Sequence, residues 1–325
     1  MSTRVRAVPA ILIVAIAFAV AAIPAMAGSE GHFDRTLTVT GSTDIYVQTG
    51  SGSVTVRRGE LGKVEIHGTI RASGWPRVSD IDARIHDLET NPPIDQDGNT
   101  IHVGRMEERE RHISISYELV VPPETKLRAE SGSGDESIEG ISGPVEANSG
   151  SGRLKLSNIG GEVRARAGSG EITLDSVRGT AHASSGSGSI RATGIAGAMD
   201  ARTGSGDIKL QQTAPGDVEA STGSGEVEVS GIKGAAHITS GSGSIRAEGE
   251  PTGEWRLHTG SGSVVVEFPQ QAAFDLAART GSGVIDSARE IAIQGSVGSH
   301  ELHGKVHGGG ALVDLSTSSG KISIH

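Results

Sequence analysis

Through the middle of the chain, apolar residues come in alternating pairs set among polar and glycine-rich steps: Leu154 and Leu156, Ile172 and Leu174, Ile190 and Ala192, Ile208 and Leu210, Val227 and Val229, Ile245 and Ala247. A second set lies half a repeat away: Val145 and Ala147, Val163 and Ala165, Met199 and Ala201, Val218 and Ala220, Ala236 and Ile238. Alternation with a period of two marks a strand with one buried face. The pattern therefore predicts two short strands per repeat. Between them a single apolar residue, Ile141, Ile159, Val177, Ile195 or Ile232, flanks a glycine-containing turn.

The period is set by a recurring Gly-Ser-Gly. Its second glycine falls at Gly134, Gly152, Gly170, Gly188, Gly206, Gly225, Gly243, Gly262 and Gly283, at intervals of 18 or 19 residues until a final one of 21. An isolated copy stands at Gly52, and Ser318-Ser319-Gly320 closes the chain in degenerate form. Glycine is expected where a turn needs positive φ or close backbone approach. Stacking would set the intervening serines, from Ser133 to Ser282, in a column of hydroxyls ~4.8 Å apart, able to bond one another or the turns. A lone coil buries too little apolar surface to order itself, so neighbouring coils must stack. The expected fold is all-β: a parallel β-solenoid, β-helix or β-roll in kind, with coils of about 18 residues and an N-terminal β subdomain as its cap.

This gives four expected segments. Residues 1–27 read as a secretory signal: Arg4 and Arg6, an apolar run from Ala10 to Ile23, then Pro24 before Ala25-Met26-Ala27. The run is shorter than the ~18 to 20 residues that span a bilayer, and an uncleaved N-terminal tether is the alternative. Residues 28–130 carry longer alternating runs without the 18-residue rhythm and read as the N-terminal capping subdomain. Residues 131–283 are the repeats, and 284–325 a C-terminal cap, both caps shielding open strand edges.

Composition narrows the chemistry. With 48 Gly and only 4 Phe, 2 Trp and 2 Tyr, the core must be built of small aliphatics. There is no Cys, so no disulfide holds the exported chain. Removing Arg4 and Arg6 with the signal leaves 27 basic residues against 39 acidic, a balance of −12. That disfavours nucleic acid and anionic membrane surfaces as partners. No stable membrane insertion is expected after signal cleavage.

At the start of the repeats the run Ile115-Ser116-Tyr117-Glu118-Leu119-Val120-Val121-Pro122, then Leu127, then Ser131-Gly132-Ser133-Gly134-Asp135, resembles the exported bacterial putative-adhesin family, a domain of unknown function with β-strand repeats. The closing residues Leu315 to Ile324 resemble that family's usual ending, and the likeness covers roughly 33–325. The resemblance implies a β-solenoid, an extracytoplasmic site and an adhesive role, and it offers no catalytic residues to carry over.

Candidate chemistry is sparse. The Gly-Ser-Gly turns lack the third glycine of a dinucleotide fingerprint, and Gly320-Lys321 lacks the P-loop context, so no cofactor is expected. The residue after each marker runs Asp135, Arg153, Glu171, Ser189, Asp207, Glu226, Ser244, Ser263, too mixed a column for calcium. His300, His303 and His307 have a loose metal spacing but read as exposed polar residues, and no metal is expected. The outward columns are the candidate interaction face: Glu146, Arg164, His182 and Asp200 in one, Lys155, Arg191, Lys209 and Arg246 in a parallel one. The expected function is a non-enzymatic envelope protein that binds or scaffolds a carbohydrate or envelope protein. The alternatives are a polysaccharide-acting β-helix enzyme, recognisable by a cleft with several carboxylates and an arginine, and a passive spacer.

Overall fold

A computed structural model describes residues 30–72, 81–104, 113–293 and 300–325. The signal segment lies outside them. The two strands predicted per repeat are present, and each joins a different parallel sheet. Among the described residues one sheet has 14 strands and the other 15, and residues between them form one continuous apolar core.

The register is that of a solenoid. Leu154 stands opposite Ile172, Ile172 opposite Ile190, and Ile190 opposite Ile208, all at most 1% exposed. In the other sheet Val145, Val163, Ala181 and Met199 stack in the same way. One interior column is mostly large, with Leu156, Leu174 and Leu210, while the other is Ala147, Ala165, Ala183, Ala201 and Ala220. Small residues against large ones fill the space between two sheets without large rings. Ile141, Ile159, Val177, Ile195 and Ile232 close one side of that core.

The stack is longer than the consecutive repeats. Strands Asp44–Thr49 and Val54–Arg58 form a coil that pairs directly with Lys126–Ser131 and Glu136–Glu139. Gly52 is thus the marker of the first coil rather than an isolated copy. The N-terminal segment also lengthens both sheets: Glu30–Thr38, Lys63–Ala72 and Ile113–Val121 extend the 14-stranded sheet, and Ile94–Asp97 with Thr100–Val103 extend the other. Helix Ile81–Thr90 buries Ile85 and Leu88, and Arg35 donates to the carbonyls of Glu89 (3.3 Å) and Thr90 (2.8 Å) at its C-terminus.

The C-terminal segment departs from its reading as a cap. Strands Ala311–Ser319 and Ile322–Ile324 insert as a coil between Trp255–Glu267 and the coil of Phe274–Ser282 with Ile285–Ser287. The chain leaves one rung vacant after Glu267 and fills it with its last residues. Glu301–Val306, antiparallel to Phe274–Arg279, lies beyond the stack as an edge cover, with Ala292–Ile293 paired outside it. Eleven coils therefore stack among the described residues, spanning ~50 Å at the usual strand spacing.

The marker glycines are there for close approach. A Cβ on Gly188 would overlap the carbonyl of Gly170, as one on Gly170 would overlap that of Gly152. The hydroxyl column differs from expectation. Serines between the glycines point outward and are exposed, whereas the residue before each marker triplet faces in and, at every rung where it is Ser or Thr rather than Ala167, bonds the turn backbone. Thr203 Oγ1 donates to the Gly188 carbonyl (2.9 Å) and accepts from Gly206 N–H (3.2 Å). Ser185, Thr222 and Ser240 repeat this pairing at their own rungs. Inward hydroxyls thereby satisfy turn groups that burial would otherwise leave unpaired.

Candidate functional site

The two-sheet geometry divides the candidate face. Glu146, Arg164, His182 and Asp200 lie on the outer side of the 15-stranded sheet, on successive strands in direct register. Lys155, Arg191, Lys209 and Arg246 lie on the 14-stranded sheet. The core separates the two quartets, so they are two surfaces and not one. The reason is the coil itself, whose two strands face opposite directions around a shared interior.

The first surface is an interlocked charge array. Arg164 meets Glu162 at 2.6 Å, His182 lies 3.6 Å from Glu162 and 3.5 Å from Asp200, and Arg202 bridges Asp200 at 3.0 Å and Glu219 at 2.7 Å. Arg202 thus separates Asp200 from Glu219, the one like-charged adjacent pair of the column. Burial opposes the charge on Glu146, but Asn148, Arg128 and Arg166 outweigh it and hold the carboxyl below its ordinary range. Exposed pairs of this kind contribute at most ~1 kcal/mol each. Their effect is to hold long side chains in place on a flat sheet.

A shallow groove of about 360 Å3 interrupts this face where Ala198 and Ala235 leave room. Asp200, Asp217, Glu219, Glu254 and Arg256 surround it, with His182 at one end and His237 one rung before Arg256 at the other. Each carboxylate is engaged: Asp217 accepts from Ala235 N–H at 2.9 Å, Glu254 pairs with Arg256 at 2.8 Å, and Arg202 takes the other two. His182 and His237 sit three strands apart.

On the opposite face Lys209 pairs with Glu228 at 2.7 Å, Arg246 with Glu267 at 2.6 Å, and Arg191 lies 3.4 Å from Glu171. The three C-terminal histidines go to separate partners: His300 to the Gly283 carbonyl, His303 to Glu301, His307 to the Ala272 carbonyl.

One chemically unusual residue escaped the sequence reading. Glu136 occupies the inward position of its strand, 1% exposed, between Val54 and Leu154 in the ladder. Neither carboxyl oxygen has a hydrogen-bond partner among the described residues. Burial pushes its pKa up to about 8, with the Glu130 carboxylate adding to the rise and the Ser131 backbone pulling weakly the other way without completing a bond. A signal was present: Glu136 stands two residues after its marker, as Leu154, Ile172 and Ile190 do after theirs.

With coils, turns and lead-in in place, the family model that matches is Toastrack DUF4097, over residues 85–230 and 161–325. The chain belongs to the Toastrack family. No curated protein matches it in sequence. Among solved structures, this Toastrack chain is similar to a putative lipid binding protein from Parabacteroides distasonis, with 17% identity, 75% of this chain and 99% of that one covered, and a TM-score of 0.45. It is also similar to a putative adhesin from Parabacteroides merdae, with 12% identity, 91% and 96% covered and a TM-score of 0.32. A putative cell adhesion protein from Clostridium sporogenes matches at 10% identity, 91% and 99% covered, with a TM-score of 0.19. The Toastrack family model is one of unknown function, and likenesses this remote carry no ligand with them.

Proposed function

We propose that this protein is an exported, non-enzymatic binding module of the cell envelope, whose stacked coils present a rigid surface to a carbohydrate or an envelope protein. The observation that supports this most is the outward column from Tyr46 through Arg128, Glu146, Arg164, His182, Asp200, Glu219, His237 and Arg256 to Asp314, one side chain per rung in unbroken register. Polar groups repeated at ~4.8 Å on an ordered backbone lose little entropy on binding and suit a partner that is itself extended and repetitive. The signal at 1–27 supports export. Screening the secreted protein on a glycan array and by envelope pull-down tests the reading. A ligand whose binding falls at least tenfold in His182→Ala/Asp200→Asn/His237→Ala is expected; finding no ligand, with surface attachment unchanged in a deletion strain, sinks it.

The groove at Asp217 favours one second reading, an enzyme acting on polysaccharide, since four carboxylates and an arginine surround it. We rank it lower because each carboxylate is already held by a partner. Release of reducing ends from a polysaccharide panel, abolished by Asp217→Asn, would reverse that ranking.

A further inference from the structure

The coil turns twice, and its two turn edges differ. One is the Gly-Ser-Gly row. Along the other runs a groove of about 390 Å3 that crosses the first six coils, with Arg58 near one end and Arg178 further along. The groove exists because the chain closes here through left-handed residues: Gly140, Asn158, Ser176 and Gly194 have φ of 77°, 55°, 58° and 69°. Such a turn folds tightly under itself and places small side chains where a strand would place long ones. Gly140 in particular leaves space for the stem of Arg58, whose Cβ would lie 3.0 Å from a Cβ added there.

Charge makes this edge distinct. Arg153 and Arg191 on the adjoining face reach the Glu171 carboxylate. Arg58 and Arg178 are exposed and make no side-chain hydrogen bond or ion pair among the described residues. No carboxylate lines the groove among the described residues. Asp175, next to it in sequence, accepts from Ser176 (3.2 Å) and Thr193 (3.3 Å) and so is already occupied, while Glu139 lies across from Arg57 on the neighbouring strand face. Between the arginines the polar side chains are neutral, Ser142, Asn158 and Ser176.

Two free guanidinium groups three rungs apart are separated by ~14 Å. That exceeds the ~8 Å over which charges act at physiological salt. Each arginine therefore serves its own anion, and the balance of −10 over the whole chain does not cancel either locally. A densely charged polymer such as nucleic acid fits poorly, because it adds unmatched phosphates against an acidic protein and finds no aromatic ring in the groove on which to stack. An extended chain with occasional carboxylates and many hydroxyls fits both the charged ends and the neutral middle.

We infer that this turn-edge groove binds a linear, sparsely anionic polysaccharide, with uronate carboxylates at Arg58 and Arg178 and hydroxyls at Ser142 and Asn158. The inference deepens the carbohydrate-binding reading and depends on it. Titration calorimetry on the full chain tests it, with sparsely de-esterified polygalacturonate oligomers, most of whose carboxyls remain methyl esters, as the acidic probe and the fully methyl-esterified oligomers as the uncharged counterpart. Salt-sensitive binding of the acid is expected, with at least tenfold weaker binding of the ester. At least a tenfold loss is expected in Arg58→Ser/Arg178→Ser, and none in Arg191→Ser. The substituted residues are exposed, so an unchanged thermal midpoint confirms intact folding. Equal affinity for acid and ester, full binding by the double variant, or tighter binding of oligodeoxythymidylate than of the uronate each overturns the inference. Should polygalacturonate fail while another glycan binds through the His182 face, the groove assignment falls and the broader function stands.

Discussion

Two neighbouring coils share one backbone geometry, and among their paired inward strand positions only one changes from aliphatic to charged. At Leu154–Ile159 the first inward side chain is Leu154, flanked by Ile172 on the next rung. At Glu136–Glu139 the same position holds Glu136, paired with Leu154 on one side and Val54 on the other. The difference coincides with a change in connectivity. From Glu136 to Glu267 the coils follow one another in sequence, whereas Val54–Arg58 belongs to a coil that the chain leaves at Gly59, rejoining the stack only at Lys126. The solenoid therefore tolerates a polar interior group at a joint between non-consecutive coils, and the consecutive stretch carries aliphatics at that position from Leu154 to Val264. Backbone pairing sets the rung, and inward chemistry sets how tightly it is held.

The sharpest way to break the comparison is to move the carboxyl by one rung. Leu154→Glu removes a fully buried leucine and puts an unpartnered acid in the consecutive spine, a loss on the order of 5 kcal/mol. Urea unfolding at pH 7 should show the midpoint collapse. A loss below ~1 kcal/mol would mean that Leu154 is not part of a continuous core.

The reverse exchange is smaller and carries a pH signature. The folded pKa of Glu136 is raised to about 8 from an ordinary 4.5. Its folded form thus holds a proton that the unfolded chain has released across that interval. Stability from this group is full below about pH 4.5 and falls as pH rises through about 8. At pH 7 the mismatch costs on the order of 3 kcal/mol. Glu136→Leu should recover that amount and flatten the stability profile between pH 5 and 8, while Glu136→Gln flattens it and keeps a buried polar group. An unchanged pH slope in both variants would place the titration elsewhere.

These residues show what could be read in the sequence. The spine from Leu154 to Ile245 follows from the 18-residue interval, because stacking converts sequence offset directly into spatial register. The same offset applied one interval earlier lands on Glu136, so that residue was legible too. The order of the outer coils was not. Gly52 and Gly320 carry the marker, but parallel pairing is decided by which exposed edge a distant segment meets, and no local periodicity encodes that choice. The long interval between Gly262 and Gly283 is the one trace of the rung filled by Ala311–Ile324. The candidate face fared similarly: alternation told outward from inward residues, yet outward positions of the two strands in a coil look alike in sequence while facing opposite sides. The turn-edge groove depends on left-handed Asn158 and Ser176, residue types that turns share with many other conformations.

The smallest effect comes from a rung where the inward hydroxyl is missing. Ser149, Ser185, Thr203, Thr222, Ser240 and Thr259 each donate to the turn carbonyl of the preceding coil. Ala167 occupies this position between Ser149 and Ser185, and the N–H of Gly170 has no hydroxyl to meet. Ala167→Ser adds one oxygen at a site where its neighbours already accommodate one. It can donate to the Gly152 carbonyl and accept from Gly170 N–H, as Ser185 does with Gly170 and Gly188. The net gain for such a buried bond is ~0.5 to 1.5 kcal/mol. Thr222→Ala should lose a comparable or slightly larger amount, since it strands the Gly206 carbonyl and the Gly225 N–H. A pair of unfolding curves decides the matter: opposite shifts of similar size assign these hydroxyls to coil-to-coil bonding, and a neutral result for both assigns the cohesion of the stack to its aliphatic columns and strand ladders alone.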